Sequence, residues 1–236
     1  SDFLILNCPD GDPDDAETST TAPLFRSFDP SATGNYRSFP QISDIANNTQ
    51  TKGEILPAVG RDTNLRLVAR DFNSNAGGVD CEEVILTVDG NSGPFEVTIA
   101  NDPDPAFQSG ETVAITWNVN NTDTSPINCS NVEILFSQDG GNTFPITLAA
   151  STSNDGNHTV DMPANGTSQG RIKIKAIDNY FFDINDEDIT IISDCVIDGG
   201  SIINADLVTA DAGDPSLDLM LQSGLEITEM AGDLEA

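Results

Sequence analysis

Two passages decide the fold: PFEVTIANDPDPAFQSGETVAITWNV, residues 94–119, and GRIKIKAIDNYFFDINDEDITII, residues 170–192. In the first, Val113, Ile115, Trp117 and Val119 fall on one face, with Thr112, Ala114, Thr116 and Asn118 on the other. In the second, Ile172, Ile174 and Ala176 alternate with Arg171, Lys173 and Lys175. A two-residue alternation of apolar and polar side chains is the period of a half-buried strand. Strands are expected at Phe95–Ala100, Thr112–Val119, Asn131–Ser137, Phe144–Ala149, Asn157–Met162, Gly170–Ile177 and Asp188–Ile192. The turn signals DPDP, QSGE, QDGGN, SNDGN and PANGTSQG separate them. Short strands at even spacing with Gly- and Asn-rich turns are the sequence form of a β-sandwich. Residues 93–193 are therefore expected to form one antiparallel sandwich. Trp117, the only Trp, is expected to plug its core, and the three cations of RIKIKAI are expected to point outward.

Working back toward the start, NLRLVARD (64–71) alternates in the same way, with Leu65, Leu67 and Ala69 inward and Val68 as the exception. EEVILTVDG (82–90) reads as the returning strand, and the Gly/Asn stretch between them as a hairpin loop. FLILNC (3–8) is an apolar strand followed at once by the acidic turn PDGDPDDA. Residues 24–57 carry Phe25, Phe28, Tyr36 and Phe39 without regular periodicity; such aromatics are expected to plug a core. Residues 1–92 thus read as a second, smaller sandwich shortened at its start. Ser92, Gly93 and Pro94 read as a short hinge. Past Cys195 the chain has no Lys, Arg or aromatic residue. Residues 194–236 read as an acidic extension, a linker, or the start of a third β module. Their apolar patches IINADLV, LDLMLQ and GLEIT suit strand addition to a neighbouring molecule. The expected fold class is all-β: two tandem antiparallel β-sandwich modules plus the acidic extension.

The chain holds 39 acidic and 9 basic residues in 236, a formal charge of −30. That excludes the basic footprint of a nucleic-acid binder. No apolar run reaches the length of a membrane-spanning helix. The first residue is Ser1 and no secretory leader follows it, so the chain reads as a processed piece of a larger protein. Four cysteines, Cys8, Cys81, Cys129 and Cys195, fit an oxidising compartment. Three pairings are open, and assignment by domain favours Cys8–Cys81 and Cys129–Cys195. No CxxC is present, which leaves zinc and thioredoxin-type chemistry without support.

No sequence pattern supports catalysis. His158 is the only His and is expected at the surface. HExxH and GxSxG are absent, and Gly77–Gly78, Gly140–Gly141 and Gly199–Gly200 read as turn glycines. Calcium is the candidate cofactor. Asp10, Asp12, Asp14 and Asp15 crowd one tight loop, and a hard cation takes six to eight oxygens. Weaker candidates are Asp183 and Asp186, with Asp178, Glu187 and Asp188 nearby, and Asp71 and Asp80, with Glu82 and Glu83. None of the three groups has EF-hand spacing, and Asx-type turns compete for the same residues.

The motifs RSFPQISDI (37–45), GEILP (53–57), LRLVARD (65–71), ITWNV (115–119) and SQDGGNTFPITLA (137–149) carry a resemblance that extends over residues 1–192. In them the chain resembles the non-catalytic C-terminal accessory region of secreted reprolysin-like zinc metallopeptidases, and of related surface proteins, of Bacteroidota. The resemblance implies Ig-like and fibronectin type III-like modules, extracellular or cell-surface location, and export by that phylum's outer-membrane route. The zinc-binding helix of the family is absent, so no catalytic residue carries over. The expected function is a non-catalytic spacer, adhesion or substrate-presenting module of a larger protein. Its expected partners are the parent protein's other domains and an extracellular protein or glycan surface, with no nucleic acid. The alternative is a subunit of a self-assembling fibre, joined by strand addition from the tail.

Overall fold

The computed structural model describes residues 17–27, 36–71, 77–100 and 105–193, and the backbone alone of Asp2–Leu4, Cys195–Ile197 and Ser201–Ile203. The extension 194–236 otherwise lies outside the described residues, as do Cys8 and the acidic turn that follows it.

Among the described residues the chain is all-β apart from one short helix. In order, the elements are β1 (Asp2–Leu4), α1 (Ile42–Ala46), β2 (Arg61–Arg70), β3 (Val79–Val88), β4 (Glu96–Val97), β5 (Ala106–Gln108), β6 (Thr112–Asn118), β7 (Asn131–Ser137), β8 (Ile146–Ser153), β9 (Asn157–Asp161), β10 (Thr167–Ala176), β11 (Phe182–Ile184), β12 (Ile189–Ile192), β13 (Cys195–Ile197) and β14 (Ser201–Ile203).

Residues 95–192 form two sheets around one core. One sheet runs β4-β6-β9; the other runs β5-β12-β10-β7-β8, with β11 also paired to β10. Alternation delivers the core as the sequence dictates. From the smaller sheet come Val97, Val113, Ile115, Trp117 and Val160. From the larger come Val132, Ile134, Phe136, Ile172, Ile174, Ile189 and Ile191. Ile115, Ile134, Phe136, Ile172 and Ile174 are fully buried, each worth about 1.5–3 kcal/mol of transfer free energy. β10 is the spine: it pairs with β7 from Arg171↔Ser137 to Ala176↔Val132. Cys195–Ile197 pairs with Ser201–Ile203 as a separate hairpin.

One pairing departs from the antiparallel expectation. Ala106–Gln108 lies parallel to β12, with Thr190 opposite Ala106. The sequence around it reads as turns because of its prolines. Pro105 has no N–H to give, but its carbonyl accepts from the Thr190 N–H at 2.8 Å, an arrangement that suits an edge strand.

Among the described residues, 1–92 contribute one three-stranded sheet, β1-β2-β3, rather than two facing sheets. Its hairpin runs from Arg61↔Val88 to Arg70↔Val79 without a register shift. Burial along β2 does not follow the simple alternation expected. Thr63 and Leu65 are buried on one face and Val68 on the other, while Leu67 is 38% exposed. Both faces of β2 are therefore partly covered, whereas β3 is exposed along most of its length. A small cluster of Ala22, Leu24 and Phe25, backed by Phe39, accompanies this sheet.

Candidate functional site

The segment 36–58 lacks apolar periodicity, so packing alone cannot fix it. A buried polar network does. The Glu54 side chain is fully buried and accepts from Arg37 and from the Gln41 N–H at 3.1 Å. Arg37 Nη1 also donates to the Arg26 carbonyl at 2.7 Å, and its guanidinium lies 4.5 Å from the centre of the Phe39 ring. Burial pushes the Glu54 carboxyl up, against the pull of Arg37. Asp44, also buried, accepts from Gln41 Nε2 at 2.9 Å, from Thr51 Oγ1 at 3.0 Å and N–H at 3.2 Å, and from Thr49 Oγ1 at 3.2 Å. Burial acts to raise the Asp44 carboxyl, but those hydrogen bonds together outweigh it and the net shift is downward. Buried polar groups are tolerable when satisfied in this way.

This segment leans on the two-sheet unit. The facing wall is the turn after β7. Asp139 accepts from Ser137 Oγ at 2.6 Å, Thr143 N–H at 2.9 Å and Thr143 Oγ1 at 2.6 Å, and these bonds hold its carboxyl down to about 2. Gly141 sits in that turn at φ +85°, and a side chain there would meet the Ala46 methyl at 3.0 Å. Glycine thus satisfies both the left-handed backbone and the close approach of α1. Nearby, Asn48 Nδ2 donates to the Asp186 carbonyl at 3.0 Å.

Between the two walls lies a cleft of about 430 Å³. Tyr36, Arg37 and Gln41 line one side, Asn142 and Phe144 the other, and Lys173 of β10 the floor. Tyr36 is 82% exposed, so it does not plug a core as its sequence context suggests. The Lys173 ammonium lies 3.8 Å from the centre of the Phe182 ring and 5.3 Å from that of Phe144. Burial holds it down to about 8, with Lys175 adding and Glu133 opposing.

The three cations of β10 do not share one solvated face. Arg171 is buried: Nε donates to Asp188 Oδ1 at 2.8 Å, and Nη1 to the carbonyls of Asn185 and Asp186 at 2.8 and 2.6 Å. Lys175 is exposed and pairs with Glu133 at 3.3 Å. Alternation gave their direction correctly, but the chain covering that face could not be read from it.

The candidate calcium residues fare differently from one another. Asp10, Asp12, Asp14 and Asp15 lie outside the described residues. Asp183 turns inward, where its Oδ2 accepts from the Val97 N–H at 2.7 Å; burial pushes its carboxyl up to about 6, with Asp186 and Glu96 adding and the Val97 N–H opposing. Asp188 is committed to Arg171. Asp71 accepts from the Gly78 N–H at 2.6 Å and Asp80 from the Cys81 N–H at 2.9 Å, while Glu83 pairs with Arg66. Among the described residues, no three of His, Cys, Asp and Glu come together as a metal-holding group.

Cys81, exposed, and Cys129, buried, both carry free thiols. Their expected partners, Cys8 and the Cys195 side chain, lie outside the described residues. His158 is half-buried rather than exposed, with Nδ1 2.9 Å from Thr152 Oγ1. Among the described residues, no helix is long and apolar enough to cross a membrane. Comparison with known proteins returns no match: no family model, no curated protein and no solved structure.

Proposed function

We propose that the chain is a non-catalytic spacer and presenting module of a larger extracellular protein. The observation that carries this reading is the double attachment between the first sheet's segment and the two-sheet unit. The covalent link is tied down rather than hinged. The Gly93 N–H donates to the Asn120 carbonyl at 2.7 Å, Asn121 Nδ2 donates to the Asn91 carbonyl at 3.3 Å, and Asn120 Nδ2 donates to the Pro94 carbonyl. The second attachment is α1 against the Gly141 turn, with Asn48 on Asp186. Two separated contacts resist rotation as one linker cannot, and a presenting arm needs that stiffness. The motif resemblance supports the extracellular setting and the Ig-like and fibronectin type III-like assignment of the modules.

Small-angle scattering tests the reading. The wild-type chain should fit one relative placement of the first sheet and the two-sheet unit, and Gly141→Val should broaden the distribution by breaking the second attachment. A broad ensemble in the wild type, or turnover of peptide or glycan substrates by this chain, overturns it. Calcium on Asp10, Asp12, Asp14 and Asp15 would stiffen the first unit further. A ligand that binds only the native state raises the melting temperature, so a flat melt across added calcium removes that part alone.

One observation favours a second reading, the fibre subunit. Among the described residues β3 is paired only with β2, and it exposes Val79, Val84 and Ile85 at 66%, 58% and 64%. An open apolar edge is a template for strand addition. Light scattering of the chain with and without residues 196–236 separates the readings; a monomer in both cases rules out the fibre.

A further inference from the structure

We infer that the cleft between Tyr36 and Phe144 binds an acidic saccharide, with the carboxylate of a uronic-acid unit set against Lys173. The proposal stands whether or not the chain is a spacer.

The argument begins with Lys173. An ammonium has three N–H donors. Among the described residues it meets only the Phe182 and Phe144 rings, and Glu133, the carboxylate nearest in register, is paired with Lys175. Ring faces stabilise a cation but accept none of its hydrogen bonds in the way an oxygen does. The cation is half-buried and already stripped of part of its water, so an arriving carboxylate gains more from it than from a surface lysine. Among the described residues this cation has no carboxylate partner, in a chain of charge −30.

The walls fix the rest of the ligand. Among the described residues the Tyr36 hydroxyl, the Ser38 hydroxyl and Asn142 Oδ1 have no hydrogen-bond partner, while Asn142 Nδ2 is spent on the Asp139 carbonyl at 2.6 Å. The exposed Tyr36 ring and the half-buried Phe144 ring offer apolar faces on opposite walls. Aromatic faces, scattered hydroxyl and amide groups and one cation match a pyranose that carries a carboxylate. A peptide bound by strand addition fits less well, since that mode needs an open strand edge. The strand at the floor has none: Lys173 pairs with Leu135 on one side and Ile184 on the other. The cleft volume falls in the range of small-ligand sites.

The test is a titration of the full chain, by calorimetry or by chemical-shift perturbation, with three probes. These are a glucuronate-containing disaccharide, the neutral glucose disaccharide of the same linkage, and an amidated, acetylated glutamyl dipeptide. The acidic sugar should bind with Kd on the order of 1 mM, and the neutral sugar about tenfold more weakly. Lys173→Met, which keeps the stem on its rings, should lose about tenfold, and Lys173→Arg should stay within about threefold. Tyr36→Ala, at a site too exposed to affect folding, should also weaken binding while leaving the melting temperature unchanged. No binding of the acidic sugar, equal binding of the neutral one, or tighter binding of the dipeptide each overturns the assignment.

Discussion

The indole Nε1–H of Trp117 donates to Oδ1 of Asn154 at 2.9 Å, and both side chains are 4% exposed. The Asn154 amide is fully spent, since its Nδ2 donates to Thr122 Oγ1 at 3.0 Å and to the Cys129 carbonyl at 3.1 Å. One side chain therefore joins the smaller sheet to the 119–129 loop. Asn154→Ala strands the indole donor and leaves a small cavity. It should cost about 2–3 kcal/mol, read by denaturant unfolding followed by circular dichroism, which does not depend on the single Trp. Trp117→Phe removes the donor instead. The double variant should be less than additive by about 1 kcal/mol, and strict additivity would mean the bond contributes nothing.

Asp183 makes stability depend on pH in an unusual direction. Its folded value of about 6 lies above the ordinary carboxyl value near 4. The native state therefore binds that proton more tightly than the unfolded state. Its contribution is fully present below about pH 4, falls as pH rises, and is lost above about pH 6, for a total of about 2–3 kcal/mol. Asp183→Asn keeps an oxygen for the Val97 N–H and carries no charge. It should raise the melting temperature at pH 7 and leave it nearly unchanged at pH 4. Equal effects at both pH values would refute the titration.

Gly170 sits where β10 shifts register between its pairs Thr167↔Ile191 and Gly170↔Ile189. A Cβ there would lie 2.7 Å from Phe136 Cζ and 2.8 Å from the Ile189 carbonyl oxygen. Phe136 is fully buried and cannot step aside cheaply. Gly170→Ala should cost about 1–3 kcal/mol by overpacking, measured by thermal or chemical unfolding, and a neutral result would show that β12 slides freely on β10.

The strands were legible because their chemistry is local. Val113, Ile115 and Trp117, or Ile172, Ile174 and Ala176, announce a buried face by period alone, and each of the seven expected strands overlaps one in the structure. What escaped depends on contacts between distant residues. Ala106–Gln108 and Phe182–Ile184 are three-residue strands at the margins of their sheets, too short to show a period. Arg171 looks solvent-facing until the Asn185–Asp188 turn covers it. The cleft was invisible for the same reason: Tyr36 and Phe144 are 108 positions apart, and they meet because the Glu54 and Asp44 networks order one wall and α1 seats it on the Gly141 turn. A sequence signal did exist in RSFPQISDI, which places Arg37, Gln41 and Asp44 close together without apolar period, the mark of a segment held by polar bonds.

Cys129 gives the last expectation. Its thiol is 1% exposed and donates to the Asn131 carbonyl at 3.3 Å. Burial pushes its pKa up, so little of the reactive thiolate forms near neutral pH. Cys81 is exposed on β3. Alkylation of the native chain at pH 7.5 (about one unit below an ordinary thiol) should therefore label Cys81 within minutes and spare Cys129 until denaturant is added. Peptide mapping without reductant reads both outcomes. A Cys129–Cys195 linked peptide would restore the pairing that the domain boundaries suggest, and rapid native labelling of Cys129 would mean that the Trp117–Asn154 corner opens far more often than its buried bonds allow.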